Sequence, residues 1–166
     1  MIWLLRPEWK GGQTFEALDR FLADPSHQSL DSDGQRLLTA DRASAEAHWV
    51  NLFEERPADS LPAYERAMTL DPENEFNAYG RGSALLRLGR YSEALPDFEQ
   101  ALRVRHSHNT GMFLALCLLR VNLRDARARA LLEAGAKDGD EMCIEFLDHL
   151  NHPGWFNSRL KRYMKL

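Results

Sequence analysis

Leu61-Pro62-Ala63-Tyr64-Glu65-Arg66-Ala67-Met68-Thr69-Leu70 lies over Leu95-Pro96-Asp97-Phe98-Glu99-Gln100-Ala101-Leu102-Arg103-Val104 when the chain is shifted by 34 residues. All but two positions keep their character or their apolar role, and those two read as exposed. A period of this length is the signature of a helical solenoid repeat. One such unit cannot bury its apolar face alone, so stacked neighbours share a core and leave a concave surface suited to other chains. The period therefore points to a binding module before any single residue is weighed.

Working outward, the clearest unit runs over residues 75–108. Its first helix carries Tyr79, Gly82, Ala84, Leu85 and Leu88, and Gly89-Arg90-Tyr91-Ser92 makes a turn with Ser92 as N-cap. The second helix places Ala94, Leu95, Phe98, Ala101 and Leu102 on one face at helical spacing. Gly82, Ala94 and Ala101 are small where two helices must cross closely. Pro96, like Pro62 before it, reads as lying at the edge of the first helical turn, where a missing N–H costs at most one terminal bond.

The set Gly82, Ala84, Gly89, Tyr91, Glu93-Ala94-Leu95, Phe98 and Ala101-Leu102 closely resembles the tetratricopeptide repeat (TPR) consensus. Leu70-Asp71-Pro72-Glu73-Asn74 resembles the turn between two such repeats. The resemblance implies an all-α, TPR-like helical-repeat solenoid of about three helix-turn-helix units, 41–74, 75–108 and 109–142, inside one domain. In the first unit the small position of the opening helix, Asp41–Glu55, falls on His48 without a gap. A one-residue insertion in the turn Glu55–Asp59 moves Ala47 there and is preferred. In the third unit Asn122-Leu123-Arg124-Asp125 stands where the turn glycine is usual.

The flanks read as caps. Residues 1–40 would hold an arm, Trp3–Glu8, and a short helix capped by Thr14 with Phe15, Leu18, Phe21 and Leu22 on one side. Ser29–Gly34 reads as a turn-rich linker. Residues 143–166 would hold a capping helix with Cys143, Phe146, Leu147 and Leu150, then a basic aromatic tail, Trp155–Leu166. The tail's aromatics are expected to dock on the body, or in the groove itself, while its cations stay solvated; the alternative is that Arg159, Lys161, Arg162 and Lys165 touch anionic lipid or nucleic acid.

Composition agrees with a globular domain. Of the 166 residues 44% are apolar and 28% charged, with a net charge of −4, which argues against a nucleic-acid surface. No apolar run approaches the roughly 20 residues needed to span a bilayer. Met1–Pro7 is too short for a signal peptide, and the expected compartment is cytoplasmic. Cys117 and Cys143 have no metal-ligand or redox spacing and read as reduced core or groove thiols.

In such a fold the resemblance places function on the inner helices. The expected groove is Trp49 and Phe53, then Phe76, Tyr79, Ser83 and Leu86, then Phe113, Cys117 and Arg120, with Arg87 and Arg120 able to hold a peptide backbone or an acidic side chain. Aromatics at this spacing equally serve a core, so both readings stay open. One TPR subtype clamps a carboxylate with Lys, Asn and Arg. Ala45, Trp49, Gly80, Thr110 and Leu114 occupy those places here and cannot donate the charged hydrogen bonds. The order and length of elements resemble class II type III secretion chaperones. The expected function is thus a small TPR chaperone or adaptor holding a peptide or partner protein. The alternative is an immunity-type inhibitor of a folded partner such as a secreted toxin. A homodimer is compatible with either, and membrane insertion is not expected.

Chemistry is sparse. Asp31-Ser32-Asp33-Gly34 resembles part of a calcium loop, but Ala40 falls where the bidentate glutamate belongs, so a capping turn is the better reading. His106, His108, His149 and His152 lack companions at ligand spacing. No phosphate loop, nucleophile elbow or carboxylate pair is visible, so neither a cofactor nor an enzymatic activity is expected.

Overall fold

The computed structural model describes residues 19–20, 23–25, 30–104 and 107–151. Among them are seven α-helices and no strand: α1 Ser32–Leu52, α2 Pro57–Leu70, α3 Glu75–Arg87, α4 Tyr91–Val104, α5 His108–Val121, α6 Ala126–Lys137 and α7 Glu141–Asn151. This is the all-α helical repeat that the period predicts. The expected arm Trp3–Glu8, the cap at Thr14 with Phe15, Leu18, Phe21 and Leu22, and the tail Trp155–Leu166 lie outside the described residues. The chain divides into two compact units, one ending at Gly89 and one beginning at Arg90.

In the first unit, α1 starts earlier than the sequence suggested. Asp31 Oδ1 accepts the Gly34 N–H at 2.8 Å, so the calcium-like stretch is an N-cap. Residues assigned to a linker are therefore the first turn of a helix that was expected to open only at Asp41. Ala40, Ala43 and Ala47 then form a stripe of small buried residues on α1, matched on α2 by Ala63 and Ala67. Without bulky side chains the two backbones approach closely, and Tyr64, fully buried, fills the space between them and α3. Burying a ring of this size is worth about 2–3 kcal/mol.

The turn between α1 and α2, Phe53–Arg56, is one residue longer than Leu88–Arg90 between α3 and α4. Ala47, not His48, sits at the fully buried small position, and His48 packs edge-on to Tyr64 with ring centroids 5.1 Å apart. Glu55 in this turn holds φ +53°, a left-handed conformation that costs a side-chain-bearing residue energy. Gly89, 34 residues on, holds φ +74° without that cost. Pro62 and Pro96 both lie inside their helices, beyond the first turn. The carbonyls they leave unbonded belong to Ala58 and Ser92, which are exposed, so water can satisfy them. Of the two pairs in the overlay that change character, Thr69 and Arg103 are exposed as expected, whereas Ala63 and Asp97 are buried.

The second unit packs α4 on α5, α5 on α6 and α6 on α7. α4 begins at Tyr91, which puts Ser92 inside the first turn and not at the cap. α5 is apolar nearly all round and has Met112, Leu114, Ala115, Leu116, Leu118 and Leu119 buried, as a central helix should. The α5–α6 turn manages without glycine because Asn122 Oδ1 accepts the Arg124 N–H at 3.1 Å. Asp125 then caps α6 through the N–H groups of Arg127 and Ala128, at 2.9 and 3.3 Å. α7 crosses α6 at Gly135, where an added Cβ would lie 2.4 Å from Cys143 Sγ. No helix among the described residues is long and apolar enough to cross a membrane.

Candidate partner-binding residues

In the first unit the candidates sit on α1, the turn after it, and α3. Trp49 is buried, at 8% exposure, and Phe53 is 43% exposed. Their rings stack at 4.7 Å with planes 19° apart, because the last turn of α1 ends between them. Trp49 Nε1 donates to Glu54 Oε1 at 3.1 Å, which fixes the indole and through it the Phe53 ring. Phe76, also 43% exposed, opens α3, just after Asn74 accepts its N–H at 3.2 Å. Tyr79, Ser83 and Leu86 follow, each half-buried. Arg87 ends α3 and donates to the Asn51 carbonyl and, at 2.9 Å, to Asn51 Oδ1. That carbonyl lies at the negative end of α1, so the cation is well placed there. Arg87 thus ties α3 to α1. Phe76 and Arg87 stand at opposite ends of α3, about 16 Å apart along its axis.

In the second unit Phe113, Cys117 and Arg120 share one face of α5, and that face turns toward α4. Phe113 stacks on buried Phe98 at 5.8 Å with planes 21° apart. Seven residues further along α5 and seven back along α4, the Arg120 guanidinium lies 5.4 Å from the Tyr91 ring centroid. Cys117 and Ala94, between these pairs, are both fully buried. Cys117 therefore offers no surface to a partner. The Phe113 ring, half-buried, is drawn into the packing of α5 on α4. Arg120 Nε and Nη2 are buried and find no hydrogen-bond acceptor among the described residues.

Three titratable groups beside these residues, Cys117, Tyr64 and His48, are pushed toward their neutral forms. Burial pushes the Cys117 thiol up to about 12. Burial does the same to Tyr64, to about 12, against the pull of the Asn51 side chain and the Arg87 charge. Burial also lowers His48 from its usual range, opposed by its hydrogen bond to the Ser44 carbonyl. None of these groups is a poised nucleophile or base. Among the described residues no three His, Cys, Asp or Glu side chains come together to hold a metal ion.

Sequence reasoning missed Asn51, Glu54 and the pairing of Tyr91 with Arg120. Tyr91 was legible only as a turn residue. Asn51 and Glu54 carry no periodic signal, since their roles depend on where α1 ends.

The tetratricopeptide repeat family model matches residues 49–109 and 79–141. A tetratricopeptide repeat and J domain-containing co-chaperone of Cryptococcus neoformans is 30% identical over 122 residues, 74% of this chain and 22% of that protein. Superkiller protein 3 of Saccharomyces cerevisiae is 24% identical over 112 residues, 60% of this chain and 8% of that protein. The chain thus spans less than a quarter of the length of either relative. No solved structure matches it significantly.

Proposed function

The chain belongs to the tetratricopeptide repeat family, and from that premise we propose that it is a non-catalytic protein-binding module, a small chaperone or adaptor that holds an extended segment of a partner protein against its repeat helices. The observation that carries this reading is the exposure of two aromatic rings, Phe53 and Phe76, at 43% each. The Phe53 ring is held in place before any partner arrives by its stack on buried Trp49 and by the Glu54 hydrogen bond to the indole. Pre-organised aromatics lose little entropy on binding and are the residue type that dominates interface energetics. The similarity to a protein described as a co-chaperone supports the same reading.

The test is capture of partners from the native cell extract by the tagged chain, with Phe53→Ser and Phe76→Ser variants in parallel. Both side chains are exposed enough for the variants to keep their helicity. The reading expects one stoichiometric partner, lost or weakened about tenfold or more with either variant, as hot-spot aromatics imply. A partner that persists at full yield with both variants overturns it. The immunity-type alternative draws on a different feature, the α5–α6 turn, where Leu123 is 77% and Val121 53% exposed. A partner lost with Leu123→Ser and kept with the phenylalanine variants would establish that alternative.

A further inference from the structure

Among the described residues Arg120 stands out as an arginine whose guanidinium has buried donors and no carboxylate partner. Arg42, Arg56, Arg66, Arg90 and Arg127 pair with carboxylates at 2.5–3.1 Å, and Arg87 donates to Asn51. Among the described residues Arg120 meets the face of Tyr91 and, standing in the last turn of α5, the negative end of its own helix. Neither supplies an acceptor. The two nitrogens left without one are Nε and Nη2. These are not a random pair. Their N–H bonds run parallel along one edge of the guanidinium, the edge that receives the two oxygens of a carboxylate side-on. Donors buried without acceptors destabilise the fold, so the native chain carries Arg120 at a cost to its own stability.

We propose that Arg120 is a carboxylate-binding residue, and that an acidic side chain or a C-terminal carboxylate of the partner protein occupies its Nε/Nη2 edge when the guanidinium turns off the Tyr91 ring. This rests on the protein-binding reading above and adds the chemistry of what is bound. Arg120 is half-buried as a whole, so its outer part is within reach while the donor edge is covered. Its repeat position differs from the places, Thr110 and Leu114 in this unit, where the carboxylate-clamping subtype keeps its basic residues.

The experiment uses the full chain, labelled with ¹⁵N at arginine, with the Arg120 Nε–H signal assigned by its loss in Arg120→Lys. N-acetylglutamate, a free acetyl-dipeptide carboxylate, inorganic phosphate and N-acetylglutamine are added in turn at constant ionic strength. The proposal expects a saturable downfield shift with one or both carboxylates, none with the amide, and a matching change in the Tyr91 ring signals. The first two probes tell a side-chain source from a C-terminal one. Equal shifts with phosphate and carboxylate would mean a general anion effect and overturn the assignment, as would no shift at all. Arg120→Met supplies a second measurement. Its thermal midpoint should rise, because the covered donors are gone, and a fall would make Arg120 a structural residue. In the capture experiment, loss of the partner with Phe53→Ser but not with Arg120→Lys would defeat this assignment alone. Persistence with all three variants would defeat the binding reading itself.

Discussion

Gly80 is where the packing of the first unit can be tested most sharply. A Cβ built on it would lie 2.4 Å from Tyr64 Cε1, 2.6 Å from Cζ and 2.7 Å from Oη. Ordinary carbon contacts sit at about 3.5–4.0 Å, so Gly80→Ala must move something by about 1 Å. The obstacle is not the loose end of a flexible chain. Tyr64 is fully buried among Ala47, Ala63 and Ala84, with His48 against its edge. Overpacking of this kind costs about 1–3 kcal/mol. The same substitution gains about 0.8–1.0 kcal/mol of helix propensity. The clash outweighs the gain, with a net loss of up to about 2 kcal/mol and a midpoint lower by up to about 8 °C for a chain of this size. In a Tyr64→Leu background the ring is gone and only the propensity remains, so Gly80→Ala should become stabilising. Thermal and urea melts followed by circular dichroism complete the double-mutant cycle, and the coupling should reach about 2 kcal/mol. If Gly80→Ala proved as costly in the Tyr64→Leu background as in the native one, the ring would not be the reason for the glycine and the argument would fail.

Glu55→Gly should stabilise the chain by about 0.5–1 kcal/mol, since glycine adopts the left-handed backbone that the α1–α2 turn imposes. A melt showing no gain would mean that the Glu55 backbone is not strained. Cys117 and Cys143 are both fully buried with thiols pushed up to about 12, so neither should react with an aromatic disulfide reagent at pH 8 until the chain opens. Prompt labelling of Cys117 in the native protein would contradict its place between α4 and α5. His48 is held neutral in the fold, its affinity for a proton lowered by burial. Below its unfolded value near 6.5 the unfolded chain takes up a proton that the native chain resists, so stability falls as pH falls, by up to about 1.4 kcal/mol per pH unit. His48→Gln should flatten that slope between pH 6.5 and 5 in urea melts, and an unchanged slope would place the acid sensitivity elsewhere.

The architecture was legible because the repeat writes its packing into the chain twice. Tyr64 and Phe98, and Ala67 and Ala101, lie 34 residues apart and are all buried. Even the extra residue of the first turn could be read, because Ala47 and His48 differ enough in size to reveal which belongs in a crossing. The start of α1 was not legible. Ser29–Gly34 has the composition of a loop, and only the Asp31 hydrogen bond to the Gly34 N–H shows that its polar residues begin a helix. Gly80 was also passed over in favour of Gly82, since sequence alone does not say which small residue faces the ring of the preceding helix.

The binding residues were the hardest to read, for a physical reason. A helix in a repeat array packs on two neighbours and shows a third side to solvent, and spacing fixes which residues share a side but not which neighbour that side meets. Phe113, Cys117 and Arg120 share one face of α5, and that face packs against α4. Trp49 and Phe53 were grouped in the same way, and there the chain leaves α1 so that one ring is buried and the other lies over it with 43% of its surface open. Residues of one type at one spacing thus meet different surroundings in the two units. What separates them is where each helix stops: α1 ends at Leu52, before Phe53 can be drawn into the packing, whereas α5 runs a full turn beyond Cys117 and carries Arg120 onto Tyr91.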